Sequence, residues 1–135
     1  MTFLDYLIVY LLALAVFSIV DAVWLGSIAK DLYKHHLKKK LALPPNWPAA
    51  ITFYLLFIAG LVYFAIIPGL DSNNAAAAAV DGALYGFFTY VTYQFTNLAT
   101  LKNWPTNLVA IDVAWGSVVS FTTATLVYVI YNGLT

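Results

Sequence analysis

The sequence predicts an all-α, integral membrane four-helix bundle, and three observations carry that expectation. Of 135 residues, 63% are hydrophobic and only 9% are charged, where a soluble domain carries about 25% charged residues. The apolar residues gather in four runs, each close to the ~20 residues that cross a ~30 Å hydrocarbon core. The hydrophobicity within each run is continuous rather than alternating, which excludes a transmembrane β-barrel. A mean hydropathy of +0.85 agrees with all three.

The runs form one transmembrane domain over residues 1–135, with spans expected at about 6–29, 49–67, 75–101 and 105–131. The first span follows Met1-Thr2-Phe3-Leu4-Asp5, which lacks the basic region of a signal peptide, and it continues too far for such a segment. The second carries no charge and is expected to end at Pro68-Gly69. Asn73 or Asn74 can cap the third, which opens on the alanine run Ala75 to Ala79. Spans two and four both open on the same tripeptide, Asn46-Trp47-Pro48 and Asn103-Trp104-Pro105. There Asn suits an N-cap, Pro the first helical turn, and Trp the membrane interface.

Two echoes suggest that the bundle is built as two tandem helical hairpins. Val20-Asp21 with Gly26 is matched by Val80-Asp81 with Gly86, and the Asn-Trp-Pro starts recur at a similar interval. The closest likeness, Asp21-x-x-Trp24 with Asp112-x-x-Trp115, falls outside that register.

Orientation follows from the six basic residues. Lys30, Lys34, Lys38, Lys39 and Lys40 follow span one, and Lys102 follows span three, while the connection 68–74 has none. The positive-inside rule then puts both lysine-bearing connections in the cytoplasm and both termini on the outer side. Lys34, Lys38, Lys39 and Lys40 suit contact with anionic lipid headgroups. Zero net charge and the lack of a basic stripe argue against nucleic acid. The pair His35-His36 does not share a helix face and has no Cys or carboxylate beside it, so a metal tract is not expected.

Function is sought in the intramembrane carboxylates, because each costs roughly 2.5–3.5 kcal/mol near the centre of an inserted helix. Asp21 lies nine residues before Lys30, and Asp112 lies eight after Trp104. Helix rise puts both about 12–14 Å from the cytoplasmic ends. Tyr90, Tyr93, Gln94 and Asn97 share one face of span three and reach the same layer. Ser18, Thr89, Thr92 and Thr96 add hydroxyls, whereas Asp81 approaches from the outer side. The expectation is one buried cluster of Asp21, Asp112, Asn97, Gln94 and Tyr90, serving as a proton or cation site or as interhelical hydrogen bonding. Gly82 and Gly86 form a GxxxG suited to packing inside the bundle or, second, to a homodimer seam. Trp24 and Trp115 are grouped with them as packing residues.

Cys is absent, and there is no Gly-rich phosphate loop, G-x-S-x-G or H-E-x-x-H, so no cofactor is expected. Catalysis would have only the carboxylates to work with. A small proton- or cation-linked transporter or binding protein is therefore favoured over a lipid-modifying enzyme or a non-catalytic scaffold.

The run Tyr93-Gln94-Phe95-Thr96-Asn97-Leu98-Ala99-Thr100-Leu101-Lys102-Asn103-Trp104-Pro105, with Asp21-x-x-Trp24-x-Gly26, Asn46-Trp47 and Asp112-x-x-Trp115-Gly116, resembles an uncharacterised bacterial family of predicted inner-membrane proteins. That family is domain of unknown function twenty-one seventy-seven, and the resemblance covers nearly the whole chain. It implies a four-span bacterial inner-membrane protein and supplies no activity. It also implies an Asp where this chain has Gln94, so a third carboxylate of the family pattern is missing here.

Overall fold

A computed structural model describes residues 1–28, 31 and 46–135. These residues form α1 (Phe3–Val23), α2 (Trp47–Leu61), a short α3 (Ile67–Asp71), α4 (Ala75–Thr100) and α5 (Thr106–Leu134). A π-helical turn, Trp24–Ile28, prolongs α1, and another, Val62–Ile66, joins α2 to α3. The result is a helical membrane bundle of four rods without strands among the described residues. Three rods, Phe3–Ser27, Trp47–Asp71 and Thr106–Leu134, are long and apolar enough to cross a membrane. α4 has the length, 26 residues or about 39 Å, but is the more polar rod and is not among those three. Lys30, Lys34, Lys38, Lys39, Lys40 and the pair His35-His36 lie outside the described residues.

Local chemistry sets the rod ends. Thr2 and Asp5 form a capping box on α1: the Thr2 hydroxyl accepts the Asp5 N–H, and the Asp5 carboxylate accepts the Thr2 N–H at 2.8 Å. The Asn46 side chain caps α2 by accepting the Ala49 N–H at 3.2 Å. Pro68-Gly69 does not end the second rod, contrary to expectation. The π-helical turn ahead of Pro68 shifts the backbone pairing where the ring would otherwise clash with the preceding turn, and the rod runs on to Asp71.

The chain then reverses through a Schellman arrangement. Asn73 adopts φ 51°, its N–H donates to the Leu70 carbonyl at 3.2 Å, and the Asn74 N–H donates to the Gly69 carbonyl at 2.9 Å. Asn74 also caps α4 by accepting the Ala77 N–H. The second Asn-Trp-Pro behaves differently from the first. Asn103 is a left-handed turn residue, φ 59°, and α5 begins only after Pro105, without a side-chain cap.

α5 is the hub of the bundle, burying eleven residues where α1 buries four. It packs against α1 on one side and α4 on the other. α1 contributes a single i±4 row, Val9, Ala13, Phe17 and Asp21. Phe17, Ile58, Leu61, Ile66, Val119 and Val127 fill the core between α1, the second rod and α5. The α4–α5 seam is made by small residues: Gly82 lies against Ser120 and Ala124, and Gly86 against the Gly116 carbonyl and Ser120. The GxxxG is therefore used within one chain, and its face is not open as a homodimer seam. Phe3, Ile19, Leu56 and Phe88 point outward, the expected surface of rods that are apolar all round.

The echo between the two halves does not extend to environment. Asp21 is buried and Gly26 has open space around it, whereas Asp81 is exposed and Gly86 is tightly packed.

Candidate functional site

Asp21, Gln94 and Asp112 each stand six residues from the same end of their rods, at Ser27, Thr100 and Thr106. At 1.5 Å per residue that is about 9 Å, so the three share one layer. The structure sorts them into two adjacent hydrogen-bond sets rather than one cluster.

In the first set Asp21 accepts from both sides. The Tyr54 hydroxyl donates to Oδ2, and the Trp115 indole N–H donates to Oδ1 at 3.0 Å. Tyr54 is held edge-on against Phe17 at 5.5 Å. Trp115 stacks on Trp24, the ring centroids 4.4 Å apart and the planes within 7°. Three rods meet at this carboxylate, which is 7% exposed.

The second set turns on Gln94. Its amide nitrogen donates to Asp112 Oδ2 at 2.6 Å, and its carbonyl accepts the Trp104 indole N–H at 2.9 Å. Only this orientation of the amide serves both partners, since indole can only donate and an ionised carboxylate can only accept. An Asp at position 94 would oppose one carboxylate with another. Gln94 instead supplies a neutral donor. Trp104, expected as an interface anchor, is also a partner in this set.

The two Asp-x-x-Trp motifs interlock. The first supplies an acceptor, Asp21, and a stacking surface, Trp24; the second supplies the donor, Trp115. Asp112 stands three residues before Trp115 and so lies on the same face of α5. Cross-bonding between α1 and α5 accounts for a likeness that the hairpin echo leaves aside.

Asp112, also 7% exposed, differs from Asp21 in lining a cleft of about 670 Å³. Ala49, Ala50 and Phe53 of α2 form one wall, Thr89, Tyr90 and Tyr93 of α4 the other. The second rod touches α4 through α3 and the π-helical turn, and the Tyr85 hydroxyl reaches the Phe57 carbonyl at 3.0 Å. Toward the start of α2 the two separate, which leaves the cleft. Tyr90 packs its ring on Gly116 at the floor.

The remaining expected members lie apart from both sets. Asn97 is half-buried, and its backbone carbonyl accepts the Leu101 N–H. The hydroxyls of Thr89 and Thr92 return to carbonyls of their own helix, satisfying themselves locally rather than joining the layer. Asp81 lines a separate, open groove of about 720 Å³ with Phe64, Leu84, Tyr85 and Phe88. Sequence reasoning missed Tyr54 and Trp104 as donors. The available signal was that each places an N–H or O–H within reach of the carboxylate layer. No group of three or more His, Cys, Asp or Glu side chains gathers among the described residues.

Apolar rods with outward hydrophobic faces and a buried, hydrogen-bonded polar layer define an integral membrane helical protein. The chain belongs to the family described as "Predicted membrane protein (DUF2177)", which matches residues 6–129. No curated protein and no solved structure matches it.

Proposed function

We propose that the chain is a small membrane-embedded binding protein or transporter in which Asp112 is the exchangeable carboxylate. Asp21 is then a fixed one. The observation that supports this division is the cleft of about 670 Å³ with Asp112 among its lining residues, a volume in the range of ligand sites. Asp21 has a donor on each oxygen and is not among the residues that line this cleft. In this reading all four rods cross a bacterial inner membrane, the lysine-bearing connections face the cytoplasm and the termini face outward. Gln94 orients Asp112, and Tyr90 shapes the floor of the cleft.

A second reading, a lipid-modifying enzyme, draws support from the same cleft, since it lies between α2 and α4 where a lipid could enter. Acid–base work on a lipid would ask for a second titratable group in the cleft beside Asp112, and Asp21 is engaged by Tyr54 and Trp115.

The test is proton and cation flux in proteoliposomes for the native chain, Asp112→Asn and Asp21→Asn. The expected result is flux above empty liposomes that Asp112→Asn abolishes, with Asp21→Asn retaining most of it per folded protein. Native flux equal to empty liposomes, with no saturable binding of any cation, would overturn the proposal.

A further inference from the structure

We propose that the groove beside Asp81 seats one phospholipid, its ammonium-bearing headgroup at Asp81 and an acyl chain along α4 toward the middle of the bilayer. This inference rests on the reading that α4 crosses the membrane, and it makes no use of Asp112 or its cleft.

The length of the groove matches one leaflet. Its α4 wall runs from Asp81 to Thr92, about 16 Å of helix rise against roughly 15 Å for half of the hydrocarbon core. Asp81 stands six residues after Ala75, the first residue of α4, which is about 9 Å along the axis. A rod of about 39 Å centred on a ~30 Å core overhangs it by roughly 4–5 Å at each end. The Asp81 backbone then lies about 4–5 Å below the headgroup boundary. Helical side chains lean toward the N-terminal end of their helix, here toward that boundary, and Asp81 is exposed. The groove thus opens near the headgroups and closes near the midplane.

Polarity runs in the same direction. The carboxylate stands at the headgroup end, and the exposed side chains of Phe64, Leu84 and Phe88 supply apolar walls below it. At the deep end the hydroxyls of Thr89 and Thr92 donate to the Tyr85 and Phe88 carbonyls, so that end asks for no polar partner. The walls are held from behind. The π-helical turn Val62–Ile66 carries Phe64, whose ring stacks on Tyr85 at 6.1 Å and 24°. Tyr85 in turn is anchored through its hydroxyl to the Phe57 carbonyl. Charge selects the headgroup. An exposed carboxylate at this depth is costly, and an ammonium beside it offsets that cost where water is scarce. A phosphatidylethanolamine headgroup supplies that ammonium, whereas phosphatidylglycerol brings only a phosphate that the carboxylate repels.

The full chain in dodecyl maltoside micelles is titrated with dioleoyl phosphatidylethanolamine or dioleoyl phosphatidylglycerol, and bound lipid is counted by native mass spectrometry. The native chain is expected to hold one phosphatidylethanolamine about fivefold or more tighter than the glycerol lipid. Asp81→Asn should remove that preference. Leu84→Trp, also at an exposed position, fills the groove and should weaken phosphatidylethanolamine binding several-fold while helix content by circular dichroism stays native. Equal retention of the two lipids by the native chain, as in a mere annular coat, overturns the inference. So does a preference undiminished in Asp81→Asn, or an Asp81-dependent dimer in the same spectra, which gives the groove to a second copy. The sequence has no cysteine, so Ala75→Cys and Lys102→Cys report whether α4 crosses. In intact bacterial cells a membrane-impermeant maleimide should label one of the two, and after lysis both. Labelling that treats them alike in intact cells overturns the crossing of α4 and this inference with it. Unlike labelling, together with Asp112-dependent flux but no lipid preference, overturns this inference alone and leaves the proposed function standing.

Discussion

Asp21 and Asp112 occur in the same four-residue motif, at the same depth and with the same 7% exposure, yet their surroundings differ in kind. Asp21 sits where three rods converge and accepts a hydroxyl and an indole. Asp112 is held by Gln94 and lines open volume. Burial alone therefore does not distinguish the two carboxylates. What distinguishes them is that one lies where three rods converge and the other lines a cleft, and the proposed division of roles rests on that difference.

The comparison can be broken by measurement, and the largest effect is expected at Asp21. Asp21→Ala leaves the Tyr54 hydroxyl and the Trp115 N–H without their acceptor. Interhelical hydrogen bonds in membranes average ~0.6 and reach ~1.7 kcal/mol each, so about 2 kcal/mol of stability should be lost. Asp112→Ala should cost less in the same unfolding titration in mixed micelles, because the Gln94 amide it leaves behind can turn to water in the cleft. If Asp112→Ala proves the more damaging, the assignment of roles is reversed.

Next in size is Gly86→Ala. Its new methyl would collide with the Gly116 carbonyl and the Ser120 side chain, an overpacking worth about 1–3 kcal/mol. Its echo Gly26→Ala meets nothing and should change stability by less than about 0.5 kcal/mol. Similar values for the two would contradict the unlike environments of the two halves.

Trp115→Phe keeps a ring for stacking on Trp24 and removes only the N–H, so about 1 kcal/mol should be lost. In an Asp21→Ala background the same change should cost almost nothing, since the acceptor is already gone; a double-mutant cycle measures that coupling. The smallest effect belongs to Ser120→Ala. The hydroxyls of Ser120 and Thr123 are buried without a hydrogen-bond partner among the described residues. Removing an unsatisfied hydroxyl should be neutral or slightly stabilising by thermal unfolding.

Much of this was legible in the sequence where one residue type has one dominant physical preference. Apolar run length foretold the helices, Asn46 and Asn74 supply caps, and helix rise put Gln94 opposite Asp112. The sequence was silent where a residue has two preferences. Tyr54 and Trp104 count as apolar in a hydropathy sum but act through a single polar atom. Pro68 reads as a terminator, yet a π-helical turn accommodates it. Asn103 carries the same tripeptide as Asn46, but it follows α4 directly and is used as a left-handed turn. The threonines of α4 look like a polar stripe, while the hydroxyls of Thr89 and Thr92 are spent on their own backbone.

The central position of α5 has a consequence for how the chain is made. The donor to Asp21 lies 94 residues downstream, and Tyr131, whose hydroxyl bonds Asp5, lies 126 downstream. At roughly 5–20 residues per second of synthesis, Asp21 waits about 5–19 s after translation before Trp115 exists. Both acidic residues of α1 complete their hydrogen bonds only once α5 has been made. A nascent chain halted before α5 would carry those carboxylates incompletely bonded, which gives quality-control proteases in the membrane a chemical mark by which to tell an unfinished bundle from a finished one.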